Sequence, residues 1–179
     1  MMEHQLSQEV IQTLNNYLDN KLKDPFRKSL SGDLVGQIHQ GEQLSMNYET
    51  EELQEFRVIV ENLGIAYLRR FVEQTGTMIR PKQVVTDKLW SVHSYEGDYN
   101  PIHDHLTATP MGISFTTWTK VPKQIGKTAE GKEIEDYSLY NSSGAIDGFI
   151  NFTYGLNQTA DPERLRPSQS RYVKPEEGK

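Results

Sequence analysis

Apolar residues at Val10, Ile11, Leu14, Leu18 and Leu22 recur at helical spacing over residues 7–22, with Ser7 and Gln8-Glu9 at the start and Pro25 just beyond the end. This predicts an amphipathic helix. Thr50 followed by Glu51-Glu52-Leu53 predicts a second one, capped by Thr50 and carrying its carboxylates at the positive end of the helix dipole. Leu53, Phe56, Val60, Leu63, Tyr67 and Phe71 trace its core stripe as far as Gly76. From about residue 80 the pattern changes to β-branched and aromatic runs. Strands are expected at Val84-Val85-Thr86, at Leu89–Tyr95, at Met111–Val121 closed by Pro122, and at Gly148–Gly155, where Ile150, Phe152 and Tyr154 share a face. Arg171-Tyr172-Val173 reads as the start of another. Ser31-Gly32-Asp33 reads as a turn before the apolar pair Leu34-Val35, and Lys123–Asp136 and Gln158–Ser170 read as surface loops. Residues 36–49 show no usable period. The expected fold class is α+β: one domain over 1–179, mainly helical in 1–78 and a jelly roll or antiparallel sandwich in 79–179. The strands legible in the pattern are fewer than the ~8 of a jelly roll.

Composition narrows the chemistry. The net charge is −6 and the pI about 5.4, which argues against general affinity for nucleic acid or for anionic membrane surfaces. The chain contains no cysteine, so a metal must be held by imidazole and carboxylate. No apolar run approaches the roughly 18 residues of a membrane span, and the N-terminal residues lack the plan of a signal peptide. A soluble, cytoplasmic protein is expected.

Candidate chemistry gathers at Tyr95-Glu96-Gly97-Asp98-Tyr99-Asn100-Pro101-Ile102-His103-Asp104-His105, which carries two of the five histidines. On an extended backbone alternate side chains point the same way, so His103 and His105 share a face while Asp104 points to the other. Pro101 pushes Asn100 towards extended geometry. Two imidazoles with open positions suit iron(II), zinc or manganese, given a third ligand from elsewhere in the chain. His4 and His39 lie in polar surroundings and are assigned no role.

Leu30–Gly36, Trp90, Gly97–His105, Gly112–Phe115, Lys120-Val121-Pro122 and Gly148–Phe152 together resemble the Fe(II)/2-oxoglutarate-dependent dioxygenase superfamily, most closely its small prolyl-hydroxylase-like members. The resemblance covers residues 30 to 178. It implies a double-stranded β-helix holding iron(II) at its open end, with 2-oxoglutarate and O2 as cosubstrates and succinate and CO2 as co-products. A peptidyl proline is among the substrates it implies. The superfamily's His-x-Asp/Glu pair falls on His103 and His105, which puts an imidazole where a carboxylate is usual and leaves the site one negative charge short. Asp104 could serve instead only if a bulge turned it inward. A tyrosine before the ligand pair contacts 2-oxoglutarate in such proteins. Tyr95 and Tyr99 are the candidates, with Tyr99 one residue farther from His103 than usual.

The superfamily's distal histidine, and the Arg or Lys that pairs with the far carboxylate of 2-oxoglutarate, lie on strands after a Pro-x-x-Gly turn. Pro175-Glu176-Glu177-Gly178 matches that turn and no histidine follows His105, so the resemblance implies either a fragment whose distal groups lie beyond Lys179 or a shortened member lacking the third ligand. Two other readings stand beside the enzyme: a jelly-roll module that binds or serves structurally without catalysing, and a zinc or manganese cupin-like site that recruits His93. An incomplete jelly roll would leave a sheet edge through which two copies could pair.

Overall fold

In the computed structural model, which describes residues 2–33, 39–78, 80, 82–101, 103, 112–127, 130–133, 148–156 and 167–179, the first amphipathic segment folds as helix α1, Gln8–Lys23. Ser7 Oγ accepts the Val10 amide at 3.2 Å, satisfying one of the donors left over at a helix start. Glu9 in the first turn and Lys21 and Lys23 in the last complement the dipole. Val10, Ile11, Leu14 and Leu18 are buried.

Helix α2 spans Glu51–Thr75. Thr50 occupies the N-cap position, but its hydroxyl donates to Asn47 O at 3.0 Å and makes no cap to the helix, so the expected side-chain cap is corrected. Gly76 ends the helix at φ 64°, donating to Val72 O at 2.9 Å. That left-handed geometry favours a residue without Cβ. The core stripe is real at its start and fades along the helix. Leu53 and Phe56 are buried, Val60 is partly buried against the same cluster, and Phe71 is exposed. Leu6, Met46 and the buried face of α1 complete the cluster.

Beside this core, strand β1, Glu42–Ser45, pairs antiparallel with β2, Trp90–His93, in a register from Glu42↔His93 to Ser45↔Trp90. Met46 N continues the pairing to Leu89 O at 2.9 Å. On the other side of β1, Leu30 N donates to Gln43 O at 2.6 Å and Ser45 N to Lys28 O at 3.3 Å. Asn47 N donates to the Tyr17 hydroxyl at 3.1 Å, which ties the end of β1 to α1. These elements belong to a unit covering Met1–Thr116.

The second unit, Thr117–Lys179, is built on β3, Ile150–Leu156, paired antiparallel with β4, Pro167–Val173. Pro167, lacking an N–H, is tolerated at the first position of a strand. Trp118 N donates to Lys179 O at 3.3 Å and Gly178 N to Trp118 O at 2.7 Å. Lys179 N closes the expected terminal turn on Glu176 O at 3.1 Å. Glu133 bridges Lys174 at 3.1 Å and Lys127 at 3.7 Å.

Several expectations are corrected. Val84-Val85-Thr86 is irregular, not a strand. Its Thr86 N–H goes to Glu61 Oε1 on α2 at 2.9 Å instead of to a ladder. Val84 rests over Gly64, where a Cβ would stand 2.9 Å from Val84 Cγ1. Within the expected strand 111–121, residues 112–117 are irregular and Trp118 makes an isolated bridge to Glu177; Met111 lies outside the described residues. Phe115 instead packs edge-to-face on Phe56, ring centres 5.9 Å apart. The strand begun at Arg171 in the sequence reading starts at Pro167, which shortens the preceding loop; residues 158–166 lie outside the described residues, as do Leu34-Val35. Among the described residues no helix is long and apolar enough to cross a membrane.

Leu53 is 0 % exposed and Phe26 is 92 % exposed. Leu53→Ala is therefore expected to lower unfolding stability by about 2–5 kcal/mol, and Phe26→Ala by no more than about 0.5 kcal/mol. Urea unfolding of the two variants against the parent measures both.

Candidate functional site

The segment that follows β2 turns sharply. Asp98 N donates to Tyr95 O at 3.0 Å, closing a turn in which Gly97 takes φ 87°, the positive value its third position demands in a type II turn. The same turn is closed a second time by a side chain, because Asp98 Oδ2 accepts the Tyr95 amide at 2.9 Å. Asp98 Oδ1 accepts from His39 N at 2.7 Å and Gln40 N at 3.2 Å. One carboxylate thus joins loop 39–41 to the turn 95–98.

The charge on Asp98 follows from this geometry. The Tyr95 amide lowers its carboxyl most, burial opposes this, and the amides of His39, Gln40 and Gly41 add to the lowering, so the group lies below the usual aspartate range. Gly41 is required by the same packing: a Cβ there would collide with the His93 carbonyl oxygen and stand 2.6 Å from Asp98 Oδ2.

Downstream of this anchor, Tyr95 and Tyr99 are 55 % and 56 % exposed, so both rings are open to a ligand. His103 Nδ1 lies 2.8 Å from Pro101 O. A carbonyl oxygen only accepts, so Nδ1 carries the proton and the lone pair of the neutral ring sits on Nε2. This is the arrangement in which a histidine is oriented for a metal by a backbone carbonyl. His103 shows the Nδ1 half of that arrangement. His105 and Asp104 lie outside the described residues, and among the described residues no three His, Asp or Glu side chains are grouped to hold a metal ion.

The remaining histidines fall elsewhere. His93 Nε2 is 3.0 Å from the hydroxyl of buried Ser91, two positions back on the same face of β2. His93 stands opposite Glu42 in the register, and Glu42 receives both Arg27 Nε at 2.7 Å and Arg27 Nη2 at 2.5 Å. Those bonds hold the Glu42 carboxyl below its usual range. His39 contributes its backbone amide to the anchor.

Sequence reasoning took Asp98 only as one of the carboxylates flanking the histidines, and took residues 36–49 as featureless. The available signal was Gly97-Asp98 after a strand, where a short carboxylate readily captures nearby backbone N–H groups. Its partners in loop 39–41 carry no such signal, because backbone amides are common to every residue type. No known protein family, curated protein or solved structure matches the chain.

The lowered Asp98 value carries a pH dependence. Its stabilising contribution is fully present above the ordinary aspartate value of ~3.9 and is lost as pH falls through the lower folded value. The stability gap between the parent and Asp98→Asn is expected to be widest at neutral pH and to close below about pH 4. Urea unfolding of both proteins across that range checks the sign.

Proposed function

We propose that the chain is an iron(II)- and 2-oxoglutarate-dependent oxygenase that hydroxylates an organic substrate, a peptidyl proline being one candidate. The observation that carries this reading is the 2.8 Å contact between His103 Nδ1 and Pro101 O, which leaves the lone pair of the neutral ring on Nε2. The resemblance of Gly97–His105 to the dioxygenase ligand motif supports it. In this reading His103 and His105 hold the metal, and Tyr95 or Tyr99 meets 2-oxoglutarate. Antiparallel strand pairs in each unit are compatible with a double-stranded β-helix as the fold class. A cytoplasmic location is part of this reading.

Bound iron with 2-oxoglutarate supplies the activation of O2. The chain's own residues orient and bind. The Pro101 carbonyl fixes the tautomer and direction of the His103 ring. The exposed phenols of Tyr95 and Tyr99 offer hydrogen bonds to a cosubstrate carboxylate. A second imidazole from His105 in place of a carboxylate leaves the ligand set less negative, which favours an anionic cosubstrate.

Anaerobic addition of iron(II) and 2-oxoglutarate to the full chain is expected to give a weak visible charge-transfer band that a chelator abolishes. His103→Ala and His105→Ala should remove it. Of Tyr95→Phe and Tyr99→Phe, the one that loses the cosubstrate contact should weaken 2-oxoglutarate binding roughly tenfold, the effect of one hydrogen bond to a charged group. If neither the parent nor a chain extended past Lys179 gives a band or retains iron on dialysis, the iron reading is contradicted and a non-catalytic module is favoured.

A further inference from the structure

Between the Asp98 anchor and Pro101 the backbone has little freedom. Tyr95 and Asp98 are bonded to each other twice, through Asp98 N to Tyr95 O and through Tyr95 N to Asp98 Oδ2. Asn100 is restricted by the proline after it, and the pyrrolidine of Pro101 fixes φ near −65°. The carbonyl of that same proline receives His103 Nδ1. Pro101 O is thus one of the contacts that direct the His103 ring, and Pro101 is tied within a few residues to a carboxylate held on loop 39–41.

We propose that Asp98 is a positioning residue, acting through Pro101 to fix the tautomer and orientation of His103, and that loop 39–41 is the second half of that device. The metal-binding consequence rests on the oxygenase reading; the effect on the ring does not. Loop 39–41 takes part through its backbone amides, so its contribution is made by shape and not by side-chain chemistry. Gly41 is the point at which that shape is most constrained, because any Cβ there meets both the His93 carbonyl and the Asp98 carboxylate. Asp98→Asn keeps one carbonyl oxygen to accept an amide but presents an NH2 group where the second oxygen was, so it should retain part of the effect. Asp98→Ala removes it all.

Glu61 supplies a control in the same unit. Burial raises its carboxyl, but the Thr86 amide at 2.9 Å and Arg57 Nε at 3.1 Å outweigh this and leave it below the usual range. It too pins a loop through a backbone N–H, but a loop other than the one bearing His103. Loss of Glu61 therefore reproduces a general loosening of the fold without touching the proposed device.

The test reads two quantities on the full-length chain. The first is the His103 ring tautomer, from long-range ¹⁵N–¹H spectra of metal-free protein. The second is iron(II) affinity, measured anaerobically with 2-oxoglutarate present. The parent and Glu61→Gln should both show the Nδ1–H form. Asp98→Ala and Gly41→Ala should show a mixture of tautomers and bind iron(II) about 10- to 100-fold more weakly, the range for partners that orient a metal ligand. Asp98→Asn should fall between. If Asp98→Ala does not fold, Asp98→Asn and Gly41→Ala carry both readouts. Should the Asp98 and Gly41 variants keep the parent's tautomer, or Glu61→Gln lose it equally, the proposal is overturned. A parent that shows the Nδ1–H form and binds no iron, with or without an extension past Lys179, contradicts the oxygenase reading alone, because the tautomer change in the variants still decides the role of Asp98.

Discussion

A single carboxylate holds together two loops that lie 59 residues apart in the sequence. Asp98 does this by accepting backbone amides from both sides, Tyr95 on its own turn and His39 and Gln40 on the other. Irregular segments must place their backbone donors somewhere, because an amide left without a partner away from water is costly. Here several of them converge on one negative charge, and charge-assisted bonds of this kind are stronger than neutral ones. The segment that bears Tyr95, Tyr99 and His103 is exposed, yet its entry is anchored.

That anchor depends in turn on the layers behind it. Buried faces of α1 and α2 form the apolar core of the first unit, with Met46 at the end of β1 packed into it. β1 carries the chain from loop 39–41 into that core, and β2 pairs with β1 before leading into the turn at Tyr95. The register places Glu42 opposite His93, so both loops leave the sheet at the same end. Asp98 then needs to span only the gap between two neighbouring exits. The pairing brings the loops close, and the carboxylate fixes their geometry.

Both helices were legible because burying one face of a helix leaves a 3.6-residue period in the sequence. Val10, Ile11, Leu14 and Leu18 show it, as do Leu53 and Phe56. The strands were less legible. Val84-Val85-Thr86 has strand composition, but Glu61 captures its Thr86 amide and Gly64 admits Val84 against the helix, and neither contact is visible from local pattern. Phe115 likewise looks like a strand residue and is used as a ring partner for Phe56. β-propensity measures fit to a half-buried surface, and more than one kind of surface meets that description. Of the site, the histidine and tyrosine positions were readable as residue types. What orients them, a proline carbonyl and amides from a distant loop, belongs to the backbone and leaves no residue signature.

The central claim is that the Asp98 carboxylate, and not general burial, orders the entry to the candidate site. Amide hydrogen exchange of the metal-free protein addresses it most directly, since bonded amides exchange through local opening. The Tyr95, His39 and Gln40 amides should exchange more slowly than that of exposed Glu96 in the same turn, and should lose that protection together when the carboxylate is protonated at low pH while the α1 and α2 core amides keep theirs. Protection of the three amides that is absent at neutral pH, or that disappears only with the core, would contradict the account.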